Sequence, residues 1–193
     1  MIAAPSDTLI VAALSVFTFL ALCAALALVT VSLRRPSTPT LMVAAGLVVA
    51  CLVIVAVAPW NVPSLFGIVL ALLGVALAVV GGNPITRRVL ALANGSDADE
   101  GASGGILVSP NEHDDRVEIM RGGTAIGYLE RLAVVMTIVA GFPEGIAIVV
   151  ALKGIGRFSE LATPATRERF IVGTLASLVW ASLVGALVRL AIW

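Results

Sequence analysis

The sequence predicts an all-α fold, a polytopic transmembrane bundle of about six spans with both termini outside. Three observations predict it. Of 193 residues, 60% are hydrophobic and only 12% charged, with a mean hydropathy of +1.09. A soluble domain carries roughly a quarter charged residues. Long uncharged runs recur along the chain, and the cations between them fall on alternate connections.

The elements follow in order. A hydrocarbon core of about 30 Å needs roughly 20 apolar helical residues. Residues 8–33 form an uncharged run of 26 and make the first span. The run does not read as a cleavable signal peptide: no Lys or Arg precedes it, and it is too long. Residues 36–86 are a further 51 without a charge, enough for two spans. Pro59-Trp60-Asn61-Val62-Pro63 divides them, because paired prolines remove donors and bend the chain. Spans two and three then fall at about 41–58 and 63–80.

Residues 81–122 are polar. Their centre, with Asp97, Asp99 and Glu100 among glycines and serines, is small, acidic and unable to bury a core. Residues 84–93 predict a separate short surface helix, with Arg87 and Arg88 beside Val89, Leu90 and Leu92. Segments 106–108 and 117–120 are short strands or helical extensions, between which periodicity does not decide. Span four occupies 123–141, and the turn signal Gly141-Phe142-Pro143-Glu144 follows. Pro143 suits the first position of span five, 143–160, which is short enough for a re-entrant element. Thr163 and Pro164 make a cap and first helical residue for span six, which ends near Ile192. The chain thus divides into a three-helix segment (1–82), a cytoplasmic acidic loop (83–122) and a second membrane module (123–193).

With the N-terminus outside, ten of the twelve cations face the cytoplasm: Arg34, Arg35, Arg87, Arg88, Arg116, Arg121, Lys153, Arg157, Arg167 and Arg169. Arg131 and Arg189 lie within spans. This distribution predicts an N-out, C-out orientation.

Composition excludes some functions. Twelve cations against twelve acids leave no net field to attract nucleic acid. Cys23 and Cys51 sit at mid-membrane depth in different spans, where cysteine packs as a small hydrophobe. His113 stands alone in an acidic loop, so no metal set, nucleophile or acid–base pair is visible, and no cofactor is expected.

Four charges interrupt apolar helix: Glu130 and Arg131 in span four, Lys153 and Arg157 in span five. Charges there are costly and face partners or water. A hairpin turning at Phe142–Pro143 sets Glu130 between Lys153 and Arg157, and Arg131 opposite Gly154. Three cations then share one carboxylate, so losing Glu130 is expected to cost more than losing Lys153. The cluster reads as an ion-paired lock, a basic pocket for an anionic headgroup or small anion, or part of an ion pathway. At the outer face Glu144 and Arg189 are expected at one depth, as a pair. Small residues mark packing faces, Gly123 and Gly127 in span four and Gly173, Ser177, Ala181 and Gly185 in span six.

Gly127-Tyr128-Leu129-Glu130-Arg131, Ala151-Leu152-Lys153, Arg157-Phe158 and Gly173-Thr174-Leu175-Ala176-Ser177 resemble the C-terminal membrane module of an uncharacterised family of small bacterial integral membrane proteins. The resemblance covers 122–190 and implies a multi-pass protein of the bacterial plasma membrane, with no activity attached. The expected function is non-catalytic: an accessory or assembly partner with a basic inner-leaflet pocket between spans four and five. Its expected partners are anionic membrane lipids and a homo-oligomer or larger membrane complex. The alternative is a small transporter or channel component using the intramembrane charges.

Overall fold

The computed structural model describes residues 5–35, 37–57, 64–94, 106–108, 117–119, 123–158 and 163–193. Its elements are α1 (Pro5–Arg34), α2 (Thr38–Val57), α3 (Ser64–Asn94), β1 (Ile106–Val108), β2 (Val117–Ile119), α4 (Gly123–Val139), α5 (Gly145–Gly156) and α6 (Pro164–Ile192). Among the described residues, four segments are long and apolar enough to cross a membrane: Leu9–Arg34, Thr38–Val57, Leu65–Ala93 and Thr166–Ile192. The protein is therefore a helical bundle of membrane type. β1 and β2 pair antiparallel, Leu107 opposite Glu118, so these segments are strands rather than helical extensions. The acidic centre of the loop, His113, Trp60 and Asn61 lie outside the described residues.

Each long helix buries one narrow seam and leaves the rest apolar and outward. On α1 the seam is Thr18, Leu22, Ala25 and Val29; on α2 it is Leu41, Ala44, Val48, Cys51 and Val55. Steps of three and four keep such a seam against a neighbouring helix. The outer faces carry Met42, Leu65 and Leu72 at 65–82% exposure. A contiguous apolar exterior is foreign to a soluble monomer and suits hydrocarbon. Thr18 and Ser15 satisfy their hydroxyls on the carbonyls of Leu14 and Val11, one turn back, so they bring no polar path into α1.

The closest packing joins α3 to α6, and glycine sets it. Gly67, Gly74 and Gly81 recur every seven residues on α3 and face Ile192, Val188 and Trp180 in turn down α6. That order makes the two helices antiparallel. A Cβ on Gly74 would stand 2.3 Å from Val188 Cγ2, and Val188 is buried with a stiff β-branched side chain. Gly74→Ala is therefore expected to destabilise the protein by about 1–3 kcal/mol, the usual cost of overpacking. Thermal unfolding in detergent measures it; an unchanged midpoint would show that α3 and α6 do not meet at this register. The small stripe of α6 also faces inward: Gly185 lies against Ile138 of α4, Gly173 against Leu90 and Thr86 of α3, and Ala181 is fully buried.

Two expected boundaries are corrected. There is no separate helix over 84–93, because α3 continues through Pro84 to Asn94. Proline normally interrupts a helix by withholding an N–H and crowding the carbonyl one turn back. In a membrane, proline is tolerated inside helices where the surroundings hold the backbone, and α3 is contacted here by side chains of α4 and α6, described below. Span five is shorter than expected. Pro143 sits in the turn before α5, where Gly145, Ile146 and Ala147 donate to the carbonyls of Phe142, Pro143 and Glu144. The helix itself has 12 residues, about 18 Å of rise. The expected cap of the last helix is present: the Thr163 hydroxyl accepts from Thr166 N at 3.2 Å, with Pro164 opening the first turn.

Candidate anion-binding site

The C-terminal end of α3, the start of α4, the end of α5 and the start of α6 surround one cavity of about 170 Å³. Its described lining carries five cations, Arg87 from α3, Arg131 from α4, Lys153 and Arg157 from α5 and Arg169 from α6, and no carboxylate. Hydroxyls of Thr86, Thr124, Thr174 and Ser177 and the amide of Asn83 complete its polar wall. The Thr86 Oγ1 atom is buried without a hydrogen-bond partner. Beyond Arg131 the interior turns apolar: Val134, Val135, Trp180 and Val184 are all at most 3% exposed.

Arg131 closes the inner wall. It is 2% exposed, and its guanidinium is bound to neutral acceptors rather than to Glu130. Nε donates to the Val79 carbonyl at 3.0 Å, Nη1 to Ser177 Oγ at 3.1 Å and Nη2 to Asn83 Oδ1 at 2.7 Å. The Tyr128 ring lies 5.3 Å from its central carbon, close enough for a cation–π contact. The approach to α3 is possible because residue 82 is glycine, where a Cβ would meet Arg131 Cδ at 2.2 Å. Trp180 enters the same turn over Gly81, and its Nε1 donates to the Leu77 carbonyl at 3.4 Å. Arg131 and Trp180 thus supply donors to α3 carbonyls just before Pro84.

Glu130 faces the other way, toward α5. Lys153 Nζ donates to Glu130 Oε2 at 2.6 Å, with side-chain exposures of 17% and 9%. Glu130 Oε1 is buried and has no partner. The ammonium also lies 5.6 Å from the Phe170 ring of α6. Lys153 therefore stands between a buried carboxylate and the cavity. Arg157, 8% exposed, lines the cavity beside it.

The structure separates what the hairpin register had grouped. Glu130 and Lys153 meet, Arg157 joins the cavity wall, and Arg131 leaves the carboxylate for α3 and α6. Gly123 and Gly127 line the cavity, and Gly127 gives Arg131 room, with its Cβ position 3.2 Å from Nη1. Ser177, singled out for its size, is a hydrogen-bond acceptor for Arg131. Asn83, Arg87 and Arg169 were missed as site residues. For Arg87 and Arg169 the signal was the grouping of cations on alternate connections, which gathers them at one end of the bundle; Asn83 carried none.

The expected Glu144–Arg189 pair is corrected: the described residues show no ion pair between them. Arg189 Nη1 donates to the carbonyls of Ile138 and Val139, at 3.3 and 3.2 Å. Both belong to the last turn of α4, where carbonyls lack the i+4 N–H of a continuing helix. The α4 terminus closes with Gly141 N on Ile138 O and Phe142 N on Thr137 O, a Schellman pattern with Gly141 at φ +81°. Glu144 is exposed, so an ordered bond to a buried helix end outcompetes it.

Fold and site together define a helical membrane protein with a basic cavity at one end of the bundle. No protein family, characterised protein or solved structure matches the chain.

Proposed function

We propose that the chain is a non-catalytic membrane protein, an accessory or assembly partner, whose cavity holds the anionic group of a small ligand or lipid at the inner leaflet. The observation that carries this reading is the convergence of five cations from four helices on one small cavity. Basic pockets between membrane helices are sites for anionic headgroups. The sealed apolar interior beyond Arg131 favours an end-on binding site over a transport route through the monomer.

We place the protein in the bacterial plasma membrane with six helices, N-out and C-out. Phe19 and Phe66, with ring centroids 5.7 Å apart, bring α1 beside α3, whose C-terminal end carries Arg87. The cavity joins that end to Lys153, Arg157 and Arg169, and cations gathered at one end face the cytoplasm. The orientation does not depend on whether α5 crosses alone. The α4–α5 hairpin leaves from and returns to the basic end, and its tip meets Arg189 at the far end of α6.

Two experiments test these readings. Single cysteines at Ser103 and Asn61, in a chain lacking Cys23 and Cys51, are expected to be reachable from the cytoplasm and from outside, respectively. Labelling of position 103 by an impermeant reagent in intact cells overturns the orientation. Native mass spectrometry of the purified protein is expected to show copurified anionic lipid or an associated protein. A closed oligomeric ring with neither would favour the channel alternative.

A further inference from the structure

We infer that the cavity selects a phosphate monoester in its dianionic form, presented by a lipid headgroup or as free phosphate; this rests on the reading of the cavity as an anion site. Size sets the first limit. At about 170 Å³ the cavity is smaller than the roughly 300–1,000 Å³ of pockets that hold drug-sized ligands or cofactors. It takes a headgroup-sized anion, not a nucleotide.

Charge sets the second limit. Arg131 is held by neutral acceptors, Lys153 is offset by the Glu130 carboxylate just behind it, and Arg169 adds a further positive charge to the lining. A singly charged diester neutralises little of this field. A monoester carries about −1.5 to −2 near neutral pH and three strongly accepting oxygens. Guanidinium forks match such oxygens two at a time, and an ammonium can serve several at once.

The donors present point the same way. The Lys153 ammonium has three N–H bonds and Glu130 Oε2 takes one, leaving donors for the cavity beside it. Glu130 thus acts as a positioning residue: it holds Lys153 at the wall without entering the lining. The Thr86 hydroxyl, buried and unpartnered, is a further group that a ligand oxygen would satisfy. Gly123 and Thr124 add the first amides of α4, which lack intrahelical acceptors. A terminal phosphate with three free oxygens can use all of these from one position. A diester must also house an ester arm on each side of the phosphorus.

The test uses the full chain in nanodiscs of phosphatidylcholine with equal mole fractions of phosphatidate, a monoester, and phosphatidylglycerol, a diester. Lipids retained after ejection are counted by native mass spectrometry. In parallel, inorganic phosphate is titrated into the detergent-solubilised protein while its thermal midpoint is followed. Arg169→Gln removes one lining cation, and Arg34→Gln removes an exposed cation that is not part of the lining. Phosphatidate is expected to be retained about tenfold over phosphatidylglycerol, on the scale of one charge-assisted hydrogen bond. Arg169→Gln should abolish that preference at an unchanged thermal midpoint, and Arg34→Gln should preserve it. A phosphate-dependent rise in the midpoint, lost in Arg169→Gln, together with no phosphatidate retention, assigns the monoester to a soluble source. Equal retention of both lipids, sensitive to Arg169 and without a phosphate effect, overturns monoester selection and leaves the anion site standing. Indifference of every ligand to Arg169→Gln overturns both.

Discussion

Gly82→Ala should lower the stability of the protein by about 3–5 kcal/mol, far beyond the usual effect of adding one methyl group to a helix. Within a helix interior, glycine to alanine is normally favourable by about 0.5–1 kcal/mol. At Gly82 the new Cβ falls 2.2 Å from Arg131 Cδ and 2.4 Å from Nε, in the middle of the side chain rather than at its tip. The guanidinium cannot yield without giving up Val79, Asn83 and Ser177. Hydrogen bonds to a charged group are worth about 1.5–3 kcal/mol each, and a buried donor left unmade adds its desolvation cost. Val79 also loses a donor in the turn before Pro84, so the contact between α3 and α4 is weakened there.

Two comparisons make the expectation specific. Gly46 has open space where its Cβ would stand, so Gly46→Ala should be neutral or slightly stabilising. In an Arg131→Ala background the space over Gly82 is empty, so Gly82→Ala should cost much less there than in the parent chain. Unfolding in detergent for the four members of that cycle reads the coupling directly. Strictly additive losses would show that Arg131 does not occupy the Gly82 groove.

The membrane character of α1, α2 and α6 was legible because each is apolar along its length, and no distant contact is needed to see that. The continuity of α3 was not legible. Pro84 is a stop signal by local rules, and the contacts that hold α3 just before it come from Arg131 and Trp180, whose carbonyl partners are 52 and 103 residues away in sequence. The Glu130–Lys153 contact could be read from hairpin arithmetic, since both lie on the facing sides of α4 and α5. Arg131 could not be assigned in that way. Consecutive residues on a helix point about 100° apart, so a neighbour of Glu130 faces a different helix. The Gly67, Gly74, Gly81 stripe does carry a local signal, a seven-residue repeat rather than the four-residue spacing of the small residues on α6. Arg189 shows the opposite limit: its depth was readable, but its choice of helix-end carbonyls over Glu144 depends on how α4 terminates.

Lys153→Met is expected to cost about 3 kcal/mol and Glu130→Gln only about 1 kcal/mol, the reverse of the order expected when one carboxylate is shared among three cations. The geometry changes the accounting because Arg131 does not lean on Glu130 at all. Among the described residues Glu130 is bonded by Lys153 at 2.6 Å, and its other oxygen is already buried without a hydrogen-bond partner. Removing the ammonium leaves both oxygens unsatisfied in a side chain 9% exposed. Breaking a buried charged pair from one side typically costs about 3–5 kcal/mol. The other loss is milder. Lys153 lines the cavity, so its ammonium can turn to water there, and the Gln Oε1 still accepts a hydrogen bond from it. Both variants are near-isosteric, which keeps cavity creation out of the comparison. Chemical unfolding in one detergent, at one ionic strength, measures the two losses side by side. A larger loss from Glu130→Gln than from Lys153→Met would mean that the carboxylate anchors more of the cation cluster than Lys153 alone.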